Sequence, residues 1–423
     1  MSHRPGLDNT FPLALQGYAW LPSLRRQAGS DIVVTRLLGK PTLGLCGPDQ
    51  ARFFYDEDHV RRHGAIPGPV LSTLFGHGAV HTLDGEAHRV RKALFMSLMT
   101  DDGIAALVER VDRAWLDATR VWSHADRLVL FDEVSRVITR GVTEWAGVPV
   151  SDSEIPDLAA DLISLVDGFA TVGPRHWRAR RARTRREAWL ADLVQAVRGG
   201  EALAPPGSAL DAVATHRDAD GQPLSPQVAA VELLNVVRPT VAVTWFVVFA
   251  AHALYRWPSN RERLRSGDRA YTEAFAQEVR RFYPFAPFVG GQAVRDLSLA
   301  GEHVPAGSMV LLDLYGQDHD GRLWDEPYRF RPDRFVGREI GGYDLIPQGG
   351  GDPYTGHRCP GEAITVALLE ALSLRLALLD YAVPDQNLAI PLDRVPTRPD
   401  SGFVVTGVHA AVEPVRRGDS GAL

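Results

Sequence analysis

Cysteine, histidine and arginine lie together in Gly356-His357-Arg358-Cys359-Pro360-Gly361-Glu362, just downstream of Gln348-Gly349-Gly350-Gly351-Asp352. Pro360 suits a first helical turn, where its missing N–H would be an orphan anyway. Cys359 is therefore expected just ahead of a helix N-terminus, with His357 and Arg358 adding cationic charge. Both features favour thiolate over thiol. The glycines permit close approach of a flat or bulky partner. Three chemistries compete for such a loop. A zinc site needs about four ligands, and Cys359 has no second cysteine nearby. A nucleophilic cysteine needs a positioned base, which His357 at i−2 cannot easily be. A thiolate axial ligand to haem iron accounts for the glycines, the charge and the helix together.

The elements that must position this loop can be read from periodicity. Apolar residues at three- and four-residue spacing predict helices over Ala106–Trp122, Glu154–Gly168, Thr184–Val197 and Gln227–Tyr255. Ala204–Gly207 and Asp218–Pro223 are the Pro- and Gly-bearing loops. Short strands are predicted at Ile32–Leu37, Ser308–Leu314 and Phe403–Thr406. A helix over Tyr271–Tyr283 places Glu278 and Arg281 one turn apart on one face. In isolation that pair would be a solvated one worth roughly a few tenths of a kcal/mol. Asp320–Pro360, which contains Phe330-Arg331-Pro332-Asp333-Arg334-Phe335, is irregular, and coils of that length are usually functional. A helix then resumes at Glu362 and runs to about Leu379.

Composition narrows the class. The chain has 423 residues, 45% hydrophobic and 23% charged, enough to bury a large core, which excludes disordered and fibrous architectures. Lys plus Arg number 46 against 52 Asp plus Glu, so no global charge attracts nucleic acid or anionic lipid. The two cysteines, Cys46 and Cys359, cannot build a disulfide framework, and a reducing cytoplasm is expected. Cys46 is expected to be a buried structural residue. Met1–Pro22 lacks a basic stretch leading into an apolar block, so no signal or membrane anchor is expected. Leu233–Tyr255 is long enough to span a bilayer, but Arg238, Pro239 and His252 mark it as a buried helix of a large protein. No repeat or composition shift marks a boundary. The expectation is one mainly α domain over 1–423 with small peripheral β-sheets.

In order and spacing, the Glu-x-x-Arg pair, the Arg334 motif and the cysteine loop resemble the cytochrome P450 superfamily over nearly the whole chain. The resemblance implies the cytochrome P450 fold and haem b, with Cys359 as its proximal ligand and the metal-binding residue. It implies that Glu278, Arg281 and Arg334 form a buried brace for the haem-binding coil. His88-x-x-x-Lys92 falls where the family holds the haem propionates, and His357 would hold one as well. Taken alone, His88 and Lys92 would be surface residues. The family's usual Phe-x-x-Gly before the cysteine is replaced by the longer Gln348–Gly356 stretch, which points to a branch.

The central helix points to the same branch. Where most members carry an acid–alcohol pair, this chain reads Asn235-Val236-Val237-Arg238-Pro239-Thr240-Val241-Ala242. Pro239 frees the carbonyl of Asn235 and bends the helix. Arg238 is a permanent cation among valines. It is either a structural arginine paired with a carboxylate of the protein or the anchor of an acidic ligand in an apolar cavity. The Arg-Pro pair and the glycine-rich loop are similar to the fatty-acid peroxygenase branch, which holds α- and β-hydroxylases and alkene-forming decarboxylases. The similarity extends through Leu74-Phe75-Gly76, Leu94–Thr100, Gln277–Phe285 and Ile346–Gly351. It implies oxidation of long-chain fatty acids with hydrogen peroxide, giving 2- or 3-hydroxy acids, terminal alkenes or both, with no redox partner required. Arg238, Pro239 and His81 would be the catalytic residues, with the carboxylate on Arg238 as acid–base. Phe75, Phe169 and Phe285 match apolar pocket positions, although each alone would be ordinary core. The alternatives are a reductase-driven monooxygenase of the same fold and a haem or fatty-acid binder without turnover. Arg175–Arg186, with seven arginines, is expected to be a solvated helix face that could steer carboxylates inward.

Overall fold

The computed structural model describes residues 8–169 and 171–410. Its centre is the apolar stretch predicted as one helix, which forms two, Pro226–Val241 and Val243–Arg256. Ser225 caps the first through its Oγ, which accepts the Val228 N–H at 3.2 Å, and Pro226 occupies the opening turn. The interruption falls at Ala242, three residues beyond Pro239, where the Trp245 N–H bonds three residues back to the Ala242 carbonyl at 3.1 Å. The break, which simple periodicity missed, falls after Pro239, whose missing N–H leaves the Asn235 carbonyl without its helical bond. Pro226–Arg256 is long and apolar enough to cross a membrane, but 94% of its most apolar window is buried inside the protein. Its apolar surface is taken up by the core.

Helices Leu130–Ala146, Ile155–Asp167, Pro174–Gly199 and Glu362–Leu378 surround this centre. Leu233, Val237, Trp245, Phe246, Leu368 and Leu372 belong to one continuous buried cluster, with the Phe131 ring edge-on to Trp245 at 4.8 Å. The helix expected from Thr184 starts at Pro174 instead. Its arginine-rich first half hides the apolar period, yet Ala179, Ala182 and Arg183 are buried there.

Among the described residues, three small sheets lie outside the helical body. The largest has five strands in the order Ile32–Leu37, Lys40–Leu45, Met309–Asp313, Phe288–Ala293 and Val60–Arg61. Only the second and third of these run parallel. Cys46 follows the second strand and is fully buried. Strands Arg127–Val129, Val404–Ala410 and Leu379–Ala382 form a second sheet, and a hairpin pairs Leu297–Leu299 with Glu302–Val304. Between helices Arg269–Phe282 and Glu362–Leu378 lies the long coil, held by buried Trp324 and a short 3-10 turn at Pro332–Phe335.

Candidate active site

A charge cluster fixes the coil. Glu278 and Arg281, one turn apart on the helix Arg269–Phe282, are completely buried and joined by two parallel bonds of 2.7 and 2.8 Å. Glu278 also accepts the Arg331 N–H at 2.7 Å and pairs with Arg334 at 3.1 Å. Arg281 donates onward to the carbonyls of Asp318 and Pro327, and Arg334 to those of Asp325 and Arg329. The surface pair that the bare sequence suggests is thus an interior brace, with each guanidinium tied to a different stretch of coil.

The cysteine loop hangs from this frame. The Cys359 N–H bonds to the Gln348 carbonyl at 3.2 Å, and the Gln348 side-chain amide lies 3.8 Å from the sulfur. That amide is held in turn by Arg280 and Thr365, at 3.1 and 2.9 Å. Arg280 and Arg358 converge on Glu362, the first residue of the following helix. That helix begins at Glu362, as its apolar period predicts. Gly349 and Gly351 adopt left-handed φ values of 94° and 89°. A Cβ on Gly349 would stand 2.6 Å from the Tyr55 hydroxyl, so this glycine accommodates the protein's own packing.

One expectation is reversed here. Burial pushes the Cys359 thiol above its ordinary pKa, aided by Glu362, and outweighs the opposing Gly361 N–H, Lys92 and Arg280. The loop by itself therefore does not ionise the sulfur. A bound metal ion would, since coordination deprotonates a thiol outright. The nucleophile reading also falls away. His357 turns from the sulfur and stacks on His88, ring centroids 3.9 Å apart, within 3.5 Å of Glu57 and 3.6 Å of Asp84. Nor does zinc fit at Cys359, because the metal-like cluster among the described residues is Glu57, His88 and His357, without the cysteine.

The residues present suit a haem. His88 Nδ1 and Arg62 Nη1 are buried without a hydrogen-bond partner among the described residues, while His357 Nε2 faces the Glu57 and Asp84 carboxylates. Burial draws His88 down to about 3, with His357 and Lys92 adding to the effect, and it lowers His357 as well. His88 and Arg62 hold donors waiting for acceptors, as carboxylate-bearing propionates would be. Arg62 carries no sequence signal of its own, since it follows Arg61 in a short polar stretch beside the two-residue strand Val60–Arg61. Lys92 reaches across to the loop, giving 2.9 Å to the Gly356 carbonyl and a second bond to that of Arg358. Burial lowers its pKa to about 8. In this arrangement it ties the helix Gly85–Met96 to the cysteine loop, with one N–H left for a ligand.

On the other side lies Arg238, 6% exposed. Its bond to a side chain is to neutral Asn235, at 3.2 Å, and its Nε has no partner. No carboxylate pairs with it among the described residues. Burial lowers its pKa to about 9, Arg183 acts in the same direction, and Cys359 is near enough to oppose them. Pro239, next to Arg238, is the one residue between 229 and 251 that is not buried. His81 packs against the Phe75 ring at 4.3 Å, its Nδ1 unpartnered. Burial and then Arg238 depress its pKa strongly, so His81 is a neutral imidazole. As a proton donor it offers an N–H, not an imidazolium.

The remaining predicted residues divide. Phe285 is half-buried and packs against the core on Trp245 and Phe246, and its carbonyl accepts the Tyr18 hydroxyl. Phe169 is half-buried beyond the helix Ile155–Asp167, with no ring contact to the others among the described residues. The arginine-rich segment is only partly a solvated face. Arg183 is 2% exposed, paired with Glu187 at 3.0 Å and bonded to the Leu74 carbonyl. Arg175 pairs with Asp167, and Arg185 and Arg186 with Asp161.

Comparison with known proteins places this geometry. A family model described as Cytochrome P450 matches residues 265–375. The structure of cytochrome P450SP alpha in complex with (R)-ibuprophen is 41% identical, covers 96% of this chain and 100% of that one, and superposes with a TM-score of 0.94. Ligand-free cytochrome P450 OleT is 38% identical, covers 98% and 100% of the two chains, and also has a TM-score of 0.94. A variant of OleT in complex with arachidonic acid aligns equally well, with a TM-score of 0.94 and 38% identity over 97% of this chain and 98% of that one. Among curated relatives, cytochrome P450 78A11 of Oryza sativa subsp. japonica is 33% identical over 35% of this chain and 28% of its own length. The matches to the first curated relatives span only about an eighth to a third of those proteins' length.

Proposed function

This chain belongs to the cytochrome P450 superfamily, and on that footing we propose that it is a haem-thiolate peroxygenase of long-chain fatty acids, using hydrogen peroxide at carbon α or β. The whole chain, 1–423, is taken as one domain acting in the cytoplasm without a redox partner. Haem held by Cys359, with His88, His357, Lys92 and Arg62 toward its propionates, supplies the oxidising chemistry when bound.

The observation that carries the reading is Arg238, a buried guanidinium with no acidic partner among the described residues, on the helix across from the cysteine. An uncompensated buried cation is costly unless a ligand completes it. A fatty-acid carboxylate would do so through charge-assisted bonds. The two carboxylic acids in the P450SP alpha and OleT complexes support a carboxylate site on this fold. Once bound, the carboxylate can accept and return a proton at its outer oxygen, the acid–base role that the missing acid–alcohol pair leaves open. Fixing the carboxylate also fixes which carbon lies at the reacting position. His81, neutral and against Phe75, lines the same space and can donate its N–H toward the oxidant.

The test is to mix haem-loaded protein with myristic acid and hydrogen peroxide, without reductase, and identify products by mass spectrometry. Hydroxy acids or an alkene one carbon shorter are expected. No turnover, despite a thiolate-type CO spectrum, would point instead to a reductase-driven monooxygenase or a non-catalytic binder. With His81→Gln, the alkene-to-hydroxy-acid ratio should fall severalfold at similar substrate affinity. An unchanged ratio would remove His81 from product control.

A further inference from the structure

Glu232, Asn235 and Arg238 follow one another at three-residue intervals on the helix Pro226–Val241 and share one stripe of its surface. All three are buried, Glu232 completely. The order along the stripe is anion, amide, cation. Asn235 Oδ1 accepts from Arg238 at 3.2 Å, while its Nδ2 donates to the Phe75 carbonyl at 2.9 Å and to Glu232 Oε2 at 3.3 Å. A flipped amide would turn its NH2 to a guanidinium and its oxygen to a carboxylate, so the neighbours dictate its orientation. The other oxygen of Glu232 accepts from the Val80 N–H and from Arg91, both at 2.7 Å, and Arg91 also pairs with Asp218. The charge of Glu232 is therefore committed to Arg91. Its backbone bond holds the residue next to His81, and Asn235 holds the residue whose ring packs on His81.

We infer that Asn235 is a positioning residue for Arg238: it aims the guanidinium yet leaves its charge free for the substrate, while Glu232 fixes Asn235 and the His81 segment to one frame. The inference rests on the peroxygenase reading, in which Arg238 receives the fatty-acid carboxylate. The physical reason lies in the choice of an amide. An acid at this position would pair with Arg238 and occupy the role the substrate must fill. An apolar residue would let the guanidinium swing among its rotamers. An amide accepts a hydrogen bond without neutralising the charge.

The experiment compares haem-loaded wild type with Asn235→Asp, nearly isosteric, and Asn235→Ala. Myristate affinity is followed by spectral titration and turnover by product analysis, from mildly acidic to neutral pH, each variant normalised to wild type at the same pH. At neutral pH, Asn235→Asp should weaken binding and raise KM by roughly tenfold or more, the scale of one charge-assisted contact. The loss should shrink on acidification, because the introduced carboxylate, buried beside Glu232, takes up a proton above its ordinary pKa. Asn235→Ala should show a smaller, pH-independent loss and a broader mixture of α- and β-oxidised products. A merely structural asparagine would give parallel losses in both variants at every pH, and that result overturns the inference, as does wild-type binding by Asn235→Asp. CO spectra and thermal melts report folding. If the Asp variant does not fold, unchanged affinity and regiochemistry in Asn235→Ala overturn the inference by themselves. Wild type that binds myristate no better than Arg238→Ala defeats the peroxygenase reading and this inference together. Arg238-dependent binding that ignores position 235 defeats the inference alone.

Discussion

Arg281 and Arg238 are both buried arginines near the haem-binding end of the molecule, and they behave as opposites. Arg281 is completed by two bonds to Glu278 and by the carbonyls of Asp318 and Pro327. Arg238 has one neutral side-chain partner and an orphaned Nε. A buried ion that the protein satisfies in full holds structure. One that it leaves incomplete is a place for a ligand, because the remaining desolvation cost is relieved only on binding. The same contrast separates Glu232, closed by Arg91 and Val80, from His88 Nδ1 and Arg62 Nη1, which have no partner among the described residues.

The largest effect should come from breaking the completed arginine. Arg281→Leu leaves Glu278 buried with fewer partners, and it should cost about 3–5 kcal/mol and release the coil. Chemical denaturation and haem retention on gel filtration would measure this; a loss below about 1 kcal/mol would show that Glu278 and Arg334 suffice. The incomplete arginine should behave the other way. Arg238→Leu should lower kcat/KM for myristate by about a hundredfold or more, while apo-protein stability stays level or rises by up to about 2 kcal/mol. A large stability loss in that variant would move Arg238 into the structural class. The smallest effect concerns an incomplete anion away from the site. Burial, with Glu273 nearby, raises half-buried Glu370 to about 7. Because the folded-state pKa lies above the unfolded one, its contribution is present at acid pH and lost as pH rises toward and through 7. Glu370→Gln should flatten that fall and gain roughly 1 kcal/mol above neutral pH, after allowing for solvent screening. Superimposable pH–stability curves would contradict it.

How much of this was legible beforehand depended on the kind of signal. The central helix, the helix bearing Glu278 and the helix after Cys359 all appear as apolar periodicity, which local sequence records directly. The cysteine loop, the brace and Arg238 were found by motif order. The cations that favour a Cys359 thiolate are visible in sequence, whereas the burial that opposes them is not. Arg183 reads as surface from its arginine-rich surroundings; only packing against Leu74 and Glu187 turns it inward. Gln348 stands in the loop without a sequence signal of its own, since an amide becomes significant only when folding brings it to the sulfur. Arg62 and Glu232 had no motif at all.

By itself, the sequence determined the mainly α architecture, the position of the thiol ahead of its helix and the presence of a cation in the central helix. Those follow from spacing along one chain. Which charges are completed and which remain open was decided only in three dimensions. Arg91 meets Glu232 from 141 residues away, and Arg281 meets the coil from 37 and 46 residues away. Arg238 meets no carboxylate among the described residues. Desolvation is a property of everything packed around a group, and that sum exists only once the chain has folded.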